Sequence, residues 1–254
     1  MAPSSDALAY VHVTDDGSGS DFWRLDEVAD AIKAGKVGVI PTDTKYAFVC
    51  DLESRSGVQQ MYDLKRAGLS KPMSILCRGF GDIDRYTQGF PDNVVAGRQQ
   101  PFKLARQCLP GPYTFILNAG KALPKVCLQD PSTRSKSCKA RKTVGVRVSA
   151  NAVCAALLER LDRPLLASTV PETDEASASY DDERQDPAMI ADAFEGRGLA
   201  FVVDAGVLAN PPSTVLDLTK GAPKLLRRGA GDAGAWVGEE EEEEAGSEDE
   251  AWGF

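Results

Sequence analysis

The sequence predicts an α/β protein, a twisted mixed sheet flanked by helices. Three observations predict it: short β-branched runs recur along the chain, stretches of helical period separate them, and proline or glycine marks the joins. A composition of 43% hydrophobic and 26% charged residues suits a soluble globular protein, and 254 residues suit one domain with tails.

Residues 1–21 read as a flexible leader. Leu25, Val28, Ala29 and Ile32 then recur at helical spacing, and Gly35 follows as a stop. VGVIP (37–41) and AFVC (47–50) read as short strands, with the polar bend Pro41 to Tyr46 between them. Val58, Met61 and Tyr62 predict a helix over about 54–66, MSILC (73–77) a strand, and 92–108 a helix interrupted near Pro101. Pro110-Gly111-Pro112 forces a turn before the strand YTFIL (113–117). TVGVRV (143–148), PLLAST (164–169) and LAFVV (199–203) supply further strands; Val153, Cys154, Leu157, Leu158 and Leu161 predict a helix between the first two. YTFIL and the 37–50 pair are candidates for antiparallel strands in this sheet. The domain is expected to span 22–231, and 232–254 to form an acidic disordered tail, because polyglutamate repels itself and has nothing to bury.

The formal charge of −9 is unevenly placed. Of 38 Asp and Glu, ten lie beyond Arg228 (Asp232, Glu239 to Glu244, Glu248, Asp249 and Glu250), with no Lys or Arg among them. The remainder is near neutral, so anionic substrates are not excluded. No long apolar run predicts a membrane span, and Asp6, Asp15 and Asp16 break any signal-peptide core. A cytoplasmic protein is expected, or an organellar one if a transit peptide has been removed. Six cysteines without a C-x-x-C pair argue against a thiolate zinc site. The single histidine, His12, lies in the leader, which argues against Ser-His and Cys-His nucleophiles and multi-histidine metal sites.

The candidate chemistry lies at strand ends. PTDTKY (41–46) places Thr42, Asp43, Thr44 and Tyr46 there; such hydroxyls either cap the following turn or grip a carboxylate or ammonium group. Lys65 and Arg66 end a helix, where cations complement its dipole or bind phosphate. Arg147 and Arg227 sit on predicted strands, an unusual place for long cations, and point to an anion. Ser168-Thr169 and Ser213-Thr214 repeat the pattern of hydroxyl pairs at strand termini, either as turn formers or as donors into one cleft. Gly229 to Gly234 matches G-x-G-x-x-G, but an acidic tail follows instead of a helix, so the match is set aside. Residues 121–147 carry eight basic residues against Asp130 alone, either a solvated loop or an RNA contact.

PTDTKY (41–46), YDLKR followed by KPMSIL (62–76), PGPYTFIL (110–117), VGVRV (144–148), PLLAST (164–169), PSTVLDL (212–218) and LLRRG (225–229) occur in the order and spacing of one family. Over about 25–231 the chain resembles the YrdC/YciO family. The resemblance implies a YrdC-like fold with a concave, positive cleft and the activity of an L-threonylcarbamoyladenylate synthase-like nucleotidyltransferase. Such an enzyme joins L-threonine, bicarbonate and ATP, with Mg2+, into threonylcarbamoyl-AMP and pyrophosphate for tRNA t6A37 modification, with t6A pathway proteins as partners. It further implies substrate contacts from Thr42, Thr44, Tyr46, Thr114 and Thr169, nucleotide contacts from Lys65, Arg147, Ser213, Thr214 and Arg227, and catalytic roles for Lys65 and Arg147. Three departures look more YciO-like: the K-x-R signature reads Lys65-Arg66-Ala67, S-x-N reads Thr169-Val170-Pro171, and Gly-Leu after the first motif reads Ala47-Phe48. The lost arginine and asparagine imply a weaker synthase. A module binding double-stranded RNA, tRNA or the ribosome, and a family member with a different acylated substrate, are the alternatives.

Overall fold

A computed structural model describes residues 7–14, 17–65, 73–92, 100–128, 141–171, 184–220 and 222–237. Ten strands lie in one mixed sheet: β1 (Ala9–His12), β2 (Gly38–Ile40), β3 (Ala47–Asp51), β4 (Ser74–Leu76), β5 (Tyr113–Asn118), β6 (Thr143–Arg147), β7 (Leu165–Thr169), β8 (Phe201–Asp204), β9 (Thr214–Asp217) and β10 (Lys224–Arg227). Their order is β1-β8-β2-β3-β7-β4-β6-β5-β9-β10. The pair β2 and β3 is antiparallel; β5 is antiparallel to β6 and parallel to β9.

Six helices pack on this sheet: α1 (Leu25–Lys33), α2 (Arg55–Lys65), α3 (Phe80–Tyr86), α4 (Pro101–Cys108), α5 (Ala152–Glu159) and α6 (Pro187–Phe194). In α1 the stripe Leu25, Val28, Ala29 and Ile32 is buried; Asp26 and Glu27 in the first turn and Lys33 in the last complement the helix dipole. Gly35 takes a φ of 81°, open to glycine at little cost. The Asn151 side chain caps α5 by accepting from the Cys154 N–H at 2.9 Å. Pro101 starts α4 instead of interrupting it, because the first helical residue needs no N–H; residues 93–99 lie outside the described residues.

Strand alternation divides the core in two. Val39, Phe48, Leu166, Val202, Ile75, Val146, Phe115 and Leu216 face α2, α3, α4 and α6. Ile40, Val49, Leu165, Ala167, Phe201 and Val203 face α1 and α5. The second face is thus covered over β8, β2, β3 and β7, whereas the matching positions on β6, β5 and β9 are absent from that core. Burial pushes the Cys127 and Cys154 thiols up to about 12 and raises Cys50, Cys77 and Cys108, so these thiols act as small core groups. No helix among the described residues is long and apolar enough to cross a membrane.

Both expected domain boundaries move. Ala9–His12 pairs in parallel with β8 and Val13 is fully buried, so this part of 1–21 is not a leader. The strand is held by main-chain bonds at an edge, which leaves no apolar period to read. At the other end Ala233, Trp236 and Val237 are buried, and the Trp236 ring lies 4.9 Å from that of Phe115, so the fold passes beyond 231. One tryptophan among Gly and Ala has no periodicity to betray it. Residues 238–254, the rest of the expected tail, lie outside the described residues. Helices α3 and α6 were not anticipated from sequence. Trp236→Ala is expected to lower stability by about 3–5 kcal/mol, the range for emptying a large aromatic site, as read from urea unfolding; a loss under about 1 kcal/mol would mean the ring only rests on the surface.

Candidate functional site

The bare half of the second face forms the floor of a cleft of about 620 Å³. Alternation selects its floor: Thr143, Gly145 and Arg147 from β6, Thr114 and Ile116 from β5, Ser74 and Leu76 from β4, Ala167 and Thr169 from β7, Val215 from β9. Registers place Ser74 opposite Gly145 on one side and Ala167 on the other. These small residues keep the floor low. A Cβ at Gly145 would fall 2.5 Å from Ser74 Oγ and 3.1 Å from Thr114 Cγ2.

Five cations line the cleft, Lys45, Lys65, Arg141, Arg147 and Arg227, with no Asp or Glu among the described lining residues. Lys45, Lys65 and Arg147 are buried. Five like charges around one cleft, with no carboxylate among the described lining residues, make a positive surface suited to an anion.

Arg147 is oriented from one side. Its Nη2 donates to Asp43 Oδ1 and Thr44 Oγ1, both at 2.9 Å. Asp43 also accepts from the Ser149 hydroxyl at 3.0 Å and the Ala150 N–H at 3.3 Å, which holds the carboxylate in place. The buried Arg147 Nε has no hydrogen-bond partner among the described residues, so one donor of the fork remains to be satisfied. At the other end, Arg227 Nε and Nη2 donate to the Ser213 carbonyl at 3.1 and 2.8 Å, and the Ser213 and Thr114 hydroxyls lie 2.8 Å apart.

The candidates from sequence divide by position. Thr42, Lys65, Thr114, Arg147, Thr169, Ser213 and Arg227 meet in the cleft. Thr42 also caps its own turn: its hydroxyl donates to the Lys45 carbonyl at 2.6 Å and accepts from the Thr44 N–H at 3.2 Å. Thr44 stands behind Arg147 and acts through it. Tyr46 is a correction. Its ring is in the core and its hydroxyl donates to the Gly206 carbonyl at 2.7 Å, tying β3 to the segment after β8. Burial raises its pKa, which keeps that hydroxyl a donor. Thr214 is likewise turned away, its buried hydroxyl donating to the Gly231 carbonyl; a strand residue next to Ser213 must face the other way.

Lining residues not anticipated include Lys45, Ser74, Thr143 and Gln185. Lys45 was readable, being two residues before Ala47 and so on its face of the approaching strand. Gln185 had no motif; it accepts from the Tyr46 N–H at 2.6 Å and donates to the Val170 carbonyl at 2.9 Å, fastening β3 to the end of β7. Of the departures, Ala47 and Pro171 line the cleft and Phe48 packs edge-on against Phe194 at 5.0 Å, while Arg66 and Ala67 lie outside the described residues. The middle of the basic stretch, 129–140, also lies outside them, and its described end, Arg141, lines the cleft.

Fold and site define a class: α/β proteins with a cation-lined cleft on one face of a mixed sheet. The chain belongs to the Sua5/YciO/YrdC family, whose model, described as Telomere recombination, matches residues 30–229. The YciO protein of Escherichia coli K12 is 30% identical over 208 residues, covering 82% of this chain and 90% of that protein. The threonylcarbamoyl-AMP synthase of Pyrococcus abyssi is 25% identical over 208 residues, covering 82% of this chain and 54% of that protein. The crystal structure of E. coli YciO superposes with a TM-score of 0.70 at 28% identity, covering 91% of this chain and 98% of that one. P. abyssi Sua5 complexed with L-threonine shares the fold, with a TM-score of 0.67 at 24% identity, covering 87% of this chain and 57% of that one.

The Arg147–Asp43 pair, each side chain 10% exposed, generates a prediction about coupling. Asp43→Ala leaves a desolvated guanidinium and should cost about 3 kcal/mol, the low end for one partner of a buried pair. Combined with Arg147→Met, the loss should fall well short of the sum of the single losses in denaturant unfolding. Additive losses would show that the pair does not hold the site together.

Proposed function

We propose that the cleft binds ATP, L-threonine and bicarbonate and forms threonylcarbamoyl-AMP with release of pyrophosphate, feeding tRNA t6A modification. One observation carries this reading: five cations and several hydroxyls converge on about 620 Å³, with no carboxylate among the described lining residues. Ligand sites of this order hold drug-sized molecules, and a triphosphate needs several fixed cations. Membership in a family that includes a threonylcarbamoyl-AMP synthase supports the same chemistry.

The reaction needs placement and charge neutralisation more than a titrating base. The threonine amine attacks the bicarbonate carbon, one C–O bond breaks and the oxygen leaves as water with an amine proton, giving a carbamate; a carbamate oxygen then attacks the α-phosphorus and pyrophosphate leaves. Arg147, fixed by Asp43, and Lys65 offset the charge that builds at the α-phosphate and on the leaving pyrophosphate. Arg227, with Ser213 and Thr114, holds the nucleotide, while Thr42 and Thr169 serve the amino acid. Mg2+ would come with ATP and supply charge neutralisation at its phosphates, and the described lining residues offer it no carboxylate. Pro171 stands where the family signature has asparagine and brings no amide, so turnover is expected to be slow.

The RNA-binding reading draws on the basic stretch 121–147, of which 129–140 lie outside the described residues. The test supplies purified protein with ATP, Mg2+, bicarbonate and threonine and looks for threonylcarbamoyl-AMP by mass spectrometry. Arg147→Met should weaken ATP binding roughly ten- to a hundredfold, the worth of one charge-assisted contact of about 1.5–3 kcal/mol. Product formed without threonine, or ATP affinity unchanged in the variant, would remove this reading.

A further inference from the structure

We propose that the acidic C-terminal segment Glu239–Glu244 docks into the mouth of the cationic cleft and competes there with polyphosphate. The inference rests on the reading of the cleft as a polyanion site, and it assigns that site an intramolecular occupant.

Charge complementarity is the first ground. The cleft gathers Lys45, Lys65, Arg141, Arg147 and Arg227, and Lys224 and Arg228 extend this charge along β10, the strand at the end of the sheet. Nine acids lie between Glu239 and Glu250, and no Lys or Arg follows Arg228 to neutralise them locally. Glutamate carboxylates match guanidinium donors in the same geometry as phosphate oxygens. The segment therefore presents to the cleft the kind of charge its ligand carries.

Reach is the second ground. Trp236 packs on Phe115 of β5, on the face opposite Thr114 and Ile116, and thus anchors the chain one sheet thickness from the cleft floor. The order β5-β9-β10 leaves the sheet edge two strands away, about 10 Å at the usual strand spacing. Glu244 is seven residues past Val237, and an extended chain of that length reaches roughly 23–25 Å. The later glutamates of the run have the length to round the β10 edge beside Arg227 and reach the mouth of the cleft. Tethering makes even a weak interaction count, because the effective concentration of a short-tethered group is on the order of millimolar.

The experiment compares three proteins: the full chain, a chain ending at Val237 so that Trp236 is kept, and the full chain with Glu239 to Glu244 all changed to Gln. MgATP is titrated into each by calorimetry at about 50 mM and about 500 mM salt, conditions that span strong and weak screening. The truncated and Gln forms should bind about tenfold tighter than the full chain at low salt, a gap of about 1.4 kcal/mol, and the gap should close at high salt. A labelled peptide of residues 238–254 should bind the truncated chain, be displaced by MgATP, and lose most of its affinity in Arg227→Gln and Arg141→Gln. Equal MgATP affinities in all three proteins would overturn the proposal and leave the cleft reading intact. Peptide binding indifferent to MgATP and to both substitutions would place the segment elsewhere and also overturn it. If no form bound MgATP, the reading of the cleft would fall. The peptide titration would then decide the docking alone, upheld by binding that the two substitutions weaken and ended by its absence.

Discussion

A sheet ten strands wide offers more face than two helices can cover. That inequality governs this protein. Among the described residues four helices pack on one face over β8 to β9, while α1 and α5 cover the other only over its β8-β2-β3-β7 part. The bare remainder cannot be left apolar in water, and here it carries Gly145, Ser74, Thr114 and Thr143 on the floor and arginine or lysine around it. The cleft occupies the part of that face which the described helices leave uncovered.

Arg147 shows how such a surface becomes a site. A guanidinium on a central strand has no solvent to spread into, so its position is set by Asp43, which is itself set by Ser149 and Ala150 from the segment that follows the same strand. The buried Arg147 Nε–H has no partner among the described residues. The loop between β2 and β3 and the end of β6 are thereby fixed to each other before any ligand arrives, which lowers the ordering cost that a ligand must meet.

Elements with a period were readable in sequence. The stripe of α1, the β-branched strands β2, β3, β6 and β7 and the arginines on strands could be placed because burial on one face leaves a pattern. The cleft could be anticipated as a set of hydroxyls and cations at strand ends, since long cations on strands are rare enough to ask for a reason. What was hidden is what burial does not write periodically. The edge strand β1 is held by main-chain bonds; Trp236 is a single ring; Gln185 reaches the cleft through chain trajectory. Tyr46 and Thr214 were misplaced for one reason: each sits beside a cleft residue in sequence, and neighbours on an extended chain face opposite sides.

The placing of Trp236 has a consequence for how the chain acquires its structure. Its ring seats against Phe115 from more than a hundred residues away, and β1 joins the sheet only through β8, whose residues lie over 190 positions downstream of their partners. Neither closure is available to a chain still emerging from the ribosome with its last quarter unsynthesised. Local helices such as α1 can form early, but the pairing of β1 with β8 and the Phe115–Trp236 contact must wait for the later segments. Until Trp236 is made, the side of Phe115 that it covers lacks its partner, while Phe90, 5.9 Å away on another side, is already in the chain.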